Sequence, residues 1–158
     1  MLCTSMRTVL SDVRTYLLLI AFAAGAGCAG NGQGLDENGN PIGSNGNGIP
    51  IAFDPTFTNI QQNVFSNICV ECHSGTGAPQ GLRLEDGRSF ENLVGVRSAE
   101  VPELFRVTPG DPRNSYLVRK LEGGPGIVGG QMPLNGSPLP QPVINSIRLW
   151  ISGGAQRN

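Results

Sequence analysis

Apolar residues beyond about position 53 recur mostly at helical intervals. Phe57, Ile60, Val64, Phe65 and Ile68 follow one another at steps of three, four, one and three, which lays a single apolar stripe along a helix. Asp54-Pro55 stands just ahead, a capping carboxylate followed by a proline suited to the first helical position, so the helix is expected to open there. Near the other end, Val143, Ile147, Trp150 and Ile151 share one face of a helix expected over about 142–152, with Gly153 as its stop. Two shorter helices are expected between them. One spans Ser89–Val96; the other is capped by Asn114 or Ser115, uses Tyr116, Leu117, Val118 and Leu121 for contacts, and ends at Gly123-Gly124. Ser74–Pro79 reads as a loop, Gly81-Leu82-Arg83-Leu84 as a short extended segment and Pro109–Pro112 as a turn. The expected fold class is mainly α, with helices joined by long Gly- and Pro-rich loops.

The first third has a different pattern. Arg7 and Arg14 precede an apolar run of nine residues, Tyr16–Ala24, and small residues lead into Cys28. This is the layout of a secretory signal over residues 1–27, with Met1 or Met6 as the start. The run is well short of the ~20 residues that span a bilayer. Ala26-Gly27-Cys28 also resembles a bacterial lipoprotein cleavage site, although Gly25 stands where that pattern usually has Leu. The resemblance implies a lipid on Cys28, hence a membrane partner and a place on the periplasmic side of a bacterial membrane. Residues 28–52 are rich in Gly and Asn and poor in apolar groups. They cannot bury enough surface to offset ordering entropy and are expected to form a flexible tether. Residues 53–158 are expected to form one domain.

Chemistry concentrates in Cys69-Val70-Glu71-Cys72-His73, where His73 is the only histidine of the chain. CxxCH is the attachment pattern of a c-type haem: Cys69 and Cys72 bond the two vinyl groups, and His73 ligates the iron. Zinc is poorly served, because four ligands are wanted and only Cys3 and Cys28 remain outside the motif. A thioredoxin-like CxxC is expected after a strand, whereas the segment here has helical periodicity. Export and haem attachment agree, since covalent attachment in bacteria takes place outside the cytoplasmic membrane. With Cys28 assigned to lipid and Cys69 and Cys72 to haem, no pair is left for a structural disulfide.

For the second axial position of the iron, Met132 is the only methionine left after export, in Gly129-Gly130-Gln131-Met132-Pro133-Leu134. A thioether is a soft, neutral ligand that raises the potential of an electron carrier. Lys120, the only lysine, is a poorer candidate. The expected function is one-electron transfer with His73 and Met132 on the iron, without enzymatic activity. The alternatives are a haem enzyme or gas sensor with an open distal position, and an accessory domain whose haem stabilises an interaction surface.

The order of CxxCH at 69–73, Gly-Gly-Gln-Met-Pro at 129–133 and a closing helix with Trp150 resembles a class I cytochrome c. More narrowly, Gly81-Leu82-Arg83-Leu84, the stretch from Pro109 to Leu117, and Ile147–Ile151 through Gly154-Ala155 are similar to cytochrome-c-like domains common in planctomycetes. The similarity covers about Phe53–Ala155. It implies a cytochrome c fold in which the first and last helices cross beside one covalent haem. It also implies Cys69 and Cys72 as thioether anchors and His73 and Met132 as axial ligands, with redox proteins as partners. Removal of residues 1–27 leaves nine basic and eleven acidic side chains, and no basic patch points to nucleic acid. Arg83, Arg113 and Arg119 are candidates to bond haem propionates. Tyr116 and Trp150 are weaker ones, because both sit on apolar helix faces.

Overall fold

Thr56, rather than Asp54, opens the first helix of the computed structural model. The structure describes residues 49–158; the signal segment, Cys3, Cys28 and most of the expected tether lie outside the described residues. Pro55 forms a tight bend in which the Thr56 N–H donates to the Asp54 carbonyl at 2.8 Å, so Asp54 sits too early to cap. The Thr56 hydroxyl accepts from the Asn59 N–H instead, and helix α1 runs Phe57–Ile60. The coil then widens into a π-helical turn, Gln61–Phe65, closed by the Ser66 N–H donating to the Gln61 carbonyl at 2.8 Å. The apolar stripe expected as far as Ile68 ends at Phe65. Ile68 lies in the following turn and is exposed.

Helix α2, Ser89–Leu93, is shorter than expected. Val94 turns extended to pair with Val107, where Gly95 donates to the Val107 carbonyl at 3.0 Å and Val107 to that of Leu93 at 3.1 Å. Helix α3, Tyr116–Glu122, has Ser115 at its N-cap and Gly123 at its C-cap with φ +69°, a left-handed conformation that glycine adopts readily. The Ser115 hydroxyl does not cap. It accepts from the Thr108 N–H at 2.8 Å and donates to the Asp111 carbonyl at 2.9 Å, closing the Pro109–Pro112 turn onto the start of α3. Helix α4, Gln141–Ser152, ends at Gly153 as expected. Its buried face is Ile144, Ser146, Ile147, Trp150 and Ile151, with Val143 at the edge. Among the described residues there is no strand, only isolated bridges, and no helix is long and apolar enough to cross a membrane.

Helices α1 and α4 meet through aromatic rings. The Phe57 centroid lies 5.6 Å from that of Trp150 and 5.1 Å, edge-on, from that of Phe90 on α2. Ile60, Val64, Phe65, Leu93, Val118, Ile147 and Ile151 complete a continuous core. The Trp150 indole N–H donates to the Gln156 carbonyl at 2.8 Å, which occupies its only polar group. Ser146 is fully buried and ties the chain just ahead of α1 to α4, accepting from the Ala52 N–H at 3.2 Å and donating to the Phe53 carbonyl at 2.9 Å.

Three substitutions separate these contributions by urea denaturation. Ile147→Ala, at a side chain with no exposure, is expected to cost about 2–5 kcal/mol. Thr56→Ala is expected to cost about 1 kcal/mol for the lost cap, whereas Asp54→Ala stays within about 0.5 kcal/mol. An equal or larger loss at Asp54 would return the cap to that residue.

Candidate cofactor site

Cys69–Glu71 form a single 3-10 turn directly after the π-helical segment. The Cys72 and His73 N–H groups both point at the Cys69 carbonyl, at 3.3 and 2.8 Å. Residues three apart in such a turn eclipse one another, so Cys69 and Cys72 project from the same side. Cys69 packs against the core, and Cys72 is exposed. Burial pushes the Cys69 thiol up to about 11, with the charge of neighbouring Cys72 adding to the effect. No disulfide joins the two.

His73 is fixed at both its ring and its backbone. Its Nδ1 lies 3.2 Å from the Leu82 carbonyl oxygen. A carbonyl only accepts, so Nδ1 bears the proton and Nε2 keeps its lone pair, the tautomer that a metal ligand needs. Burial lowers the pKa of His73 most strongly, opposed by the Leu82 bond; Arg106 and Lys120 lower it further and Glu100 raises it. Desolvation therefore favours the neutral, ligating form. The Leu84 N–H closes a second bond, to the His73 carbonyl at 2.7 Å. The strap on which His73 rests is Leu82–Leu84, the latter part of the segment expected to be extended over 81–84; Gly81 instead closes a 3-10 turn, Pro79–Gly81, at φ +61°.

The strap is itself held from α1. Buried Gln61 donates through Nε2 to the Leu84 carbonyl at 3.0 Å and to the Ser66 hydroxyl at 2.9 Å, while its Oε1 accepts from the buried Ser89 hydroxyl. Leu84 is buried and Leu82 half-buried on the same core. The sequence gives little warning of Gln61, a polar residue adjoining an apolar helical face.

Met132 is half-buried and packs against the core that also receives Cys69 and Leu82. Its N–H donates to the Lys120 carbonyl at 2.8 Å, and the preceding Gln131 Nε2 donates to the Leu121 carbonyl at 2.7 Å, so α3 holds this loop. Sixty residues of sequence separate Met132 from Cys72; the fold lays both motifs against one core.

The arginines singled out from sequence have other partners. Arg83 forms an ion pair with Glu85, and Arg119 donates to the Arg113 carbonyl and the Asn114 side chain. Arg113 is exposed. The Tyr116 hydroxyl donates to Glu100 at 2.7 Å. The positive groups whose charge reaches His73 are Arg106 and Lys120, neither of them among the propionate candidates chosen from sequence. Arg106 bridges the Asn92 and Gln80 carbonyls at 2.9 and 2.6 Å. Two surface clefts of about 200 and 290 Å³ border Phe57, Thr58 and Asp86, and neither is lined by the Cys-His motif or Met132.

No family model, no curated protein and no solved structure matches the chain. Among the described residues, no three His, Cys, Asp or Glu side chains gather to hold a metal ion. For an iron porphyrin joined through thioethers, the donor set does fit: two thiols on one side of a single turn, and the next residue an imidazole with its free lone pair at Nε2.

The two thiols differ in reactivity. In the polypeptide without haem, iodoacetamide at pH 8 is expected to modify exposed Cys72 first, with Cys69 reacting fully only as the pH rises toward about 11, where its thiolate forms. Peptide mass mapping over a pH series measures this. Equal labelling of both at pH 8 would contradict the burial of Cys69.

Proposed function

We propose that residues 53–158 form a cytochrome c fold that carries single electrons on one covalent haem. In this reading the chain is exported, anchored to a bacterial membrane by a lipid on Cys28, and exchanges electrons with redox proteins. The observation that supports it most is the hydrogen bond from His73 Nδ1 to the Leu82 carbonyl, made by the residue that closes the CxxCH motif. That bond sets the tautomer, fixes the ring plane and raises the basicity of Nε2 as a ligand.

The haem supplies a reversible one-electron change at iron. Cys69 and Cys72 would hold it through thioether bonds, and His73 Nε2 and the Met132 thioether would ligate its iron, Met132 being carried by a loop whose backbone is bonded to α3. Neither ligand has a proton to gain or lose when the iron changes charge. The rigid strap beneath His73 therefore serves electron transfer, which is fastest when the ligand shell does not rearrange.

Three variants test the reading. Cys69→Ala with Cys72→Ala is expected to leave no haem that survives denaturing electrophoresis; retained covalent haem would refute it. Met132→Ala is expected to keep the covalent haem, lose the far-red ferric band of thioether ligation, lower the potential and open iron to carbon monoxide. An unchanged spectrum, with rapid carbon monoxide binding already in the wild type, would make the open-site enzyme or sensor the better account. Cys28→Ser is expected to move the protein from membrane to soluble exported fractions with its visible spectrum intact. An unmodified terminus in the wild-type mature protein would remove the lipid from the proposal.

A further inference from the structure

The loop between α3 and α4 has six glycines between residues 123 and 136 and no charged side chain. Its own sequence therefore does little to hold it in one conformation. Beyond the bonds of Gly123 and Gly124 to the Arg119 carbonyl at the helix end, four hydrogen bonds join it to α3. The Val128 N–H donates to the Tyr116 hydroxyl at 2.9 Å and the Lys120 Nζ to the Val128 carbonyl at 2.8 Å. The Gln131 side chain donates to the Leu121 carbonyl at 2.7 Å and the Met132 N–H to the Lys120 carbonyl at 2.8 Å. Two of the four depend on the side chains of Tyr116 and Lys120, which lie one helical turn apart.

Both of those side chains end on one carboxylate. Glu100 Oε2 accepts from the Tyr116 hydroxyl at 2.7 Å and pairs with the Lys120 Nζ at 3.2 Å. Lys120 is only 8% exposed, and an ammonium so buried is costly unless a counter-charge faces it. Glu100 comes from the loop after α2, far from the CxxCH motif in sequence, yet its charge and that of Lys120 both reach His73. The cluster is therefore bonded to the Met132 loop, and its charges act on the imidazole at longer range.

We propose that Glu100 is a positioning residue for Met132, acting through Tyr116 and Lys120 to hold the loop that presents the thioether. With the carboxylate in place, Tyr116 donates to Glu100 and keeps a lone pair for the Val128 N–H, and Lys120 stays folded inward on the Val128 carbonyl. Without it, the ammonium is left buried with only a carbonyl as partner and turns toward water, and the Tyr116 hydroxyl loses the acceptor that orients it. Val128 is then released on both its N–H and its C=O. The consequence at iron rests on the reading of Met132 as axial ligand; the clamp on the loop does not.

The test uses the purified holoprotein with Glu100→Ala, Glu100→Gln and Tyr116→Phe, read by amide hydrogen exchange and by carbon monoxide binding to the ferrous form. In Glu100→Ala, exchange at Val128 and Met132 is expected to rise roughly tenfold or more, the amount set by loss of a charge-assisted bond, while the amides of α4 stay as in the wild type. The far-red ferric band weakens and carbon monoxide binds at least about tenfold faster as the thioether leaves iron more often. Glu100→Gln keeps one acceptor oxygen and recovers part of both effects, and Tyr116→Phe frees the Val128 N–H alone. Unchanged exchange at Val128 and Met132 in both Glu100→Ala and Tyr116→Phe would overturn the proposal, whatever the haem spectrum. Faster exchange in a protein whose wild type lacks the thioether band would uphold the clamp and refute Met132 as ligand. If Glu100→Ala does not fold, Glu100→Gln and Tyr116→Phe decide the matter by the same two readouts.

Discussion

The contact between His73 and the strap at Leu82–Leu84 is the constraint on which the rest of the arrangement depends. It has two bonds, Nδ1 to the Leu82 carbonyl at 3.2 Å and the Leu84 N–H to the His73 carbonyl at 2.7 Å. A ring held by one bond alone can still pivot with its backbone. The second bond removes that freedom. The strap needs its own support, and burial of Leu84 together with the Gln61 side chain supplies it. Gln61 reaches the strap from the point where α1 widens into a π-helical turn, a feature often found next to functional sites. A buried amide without partners would cost about 1–3 kcal/mol; here both its ends are bonded.

The two sides of the candidate site are built on different principles. On the His73 side, apolar burial dominates: Ile60, Val64, Phe65, Leu84 and Leu93 form much of the core beneath the motif. The Met132 side has long, glycine-rich backbone, in which each ordered residue costs about 1–2 kcal/mol of conformational entropy. Hydrogen bonds from α3 meet part of that cost, and Leu139, buried at the far end, anchors the return to α4. The burial-built side resists deformation as a packed interior does. The bonded loop can open locally without loss of the core.

The ends of the domain close on each other around the aromatic cluster. Asn158 accepts from the Phe57 N–H through its side chain at 2.8 Å and from the Thr58 N–H through its backbone at 2.9 Å, so it satisfies amide groups that the first turn of α1 leaves free. Ser146 performs the equivalent task between α4 and the residues just ahead of α1. Phe57 is thereby held between Phe90 and Trp150. This closure sets the direction in which α1 runs toward Cys69.

The sequence by itself determined what depends on neighbours in the chain. The turn that places Cys69, Cys72 and His73 needs only five consecutive residues, and the stop of α3 at Gly123 follows from local backbone preference, as does the left-handed Gly154 just past the end of α4. The apolar face of α4 was legible for the same reason, apart from Ile144 and Ser146, whose burial depends on what packs against them. Tertiary structure alone decided the rest. The helix start moved from Asp54 to Thr56 because Asn158 and the Pro55 bend set the geometry there. Helix α2 stopped at Leu93 because Val107 offered Val94 and its neighbours a better partner than another helical turn. Gln61, Glu100, Arg106 and Lys120 acquired their places from groups 8 to 28 residues away in the chain. Spacing along the chain reveals which side chains share a face. It does not reveal which distant carbonyl or carboxylate the fold will bring opposite them.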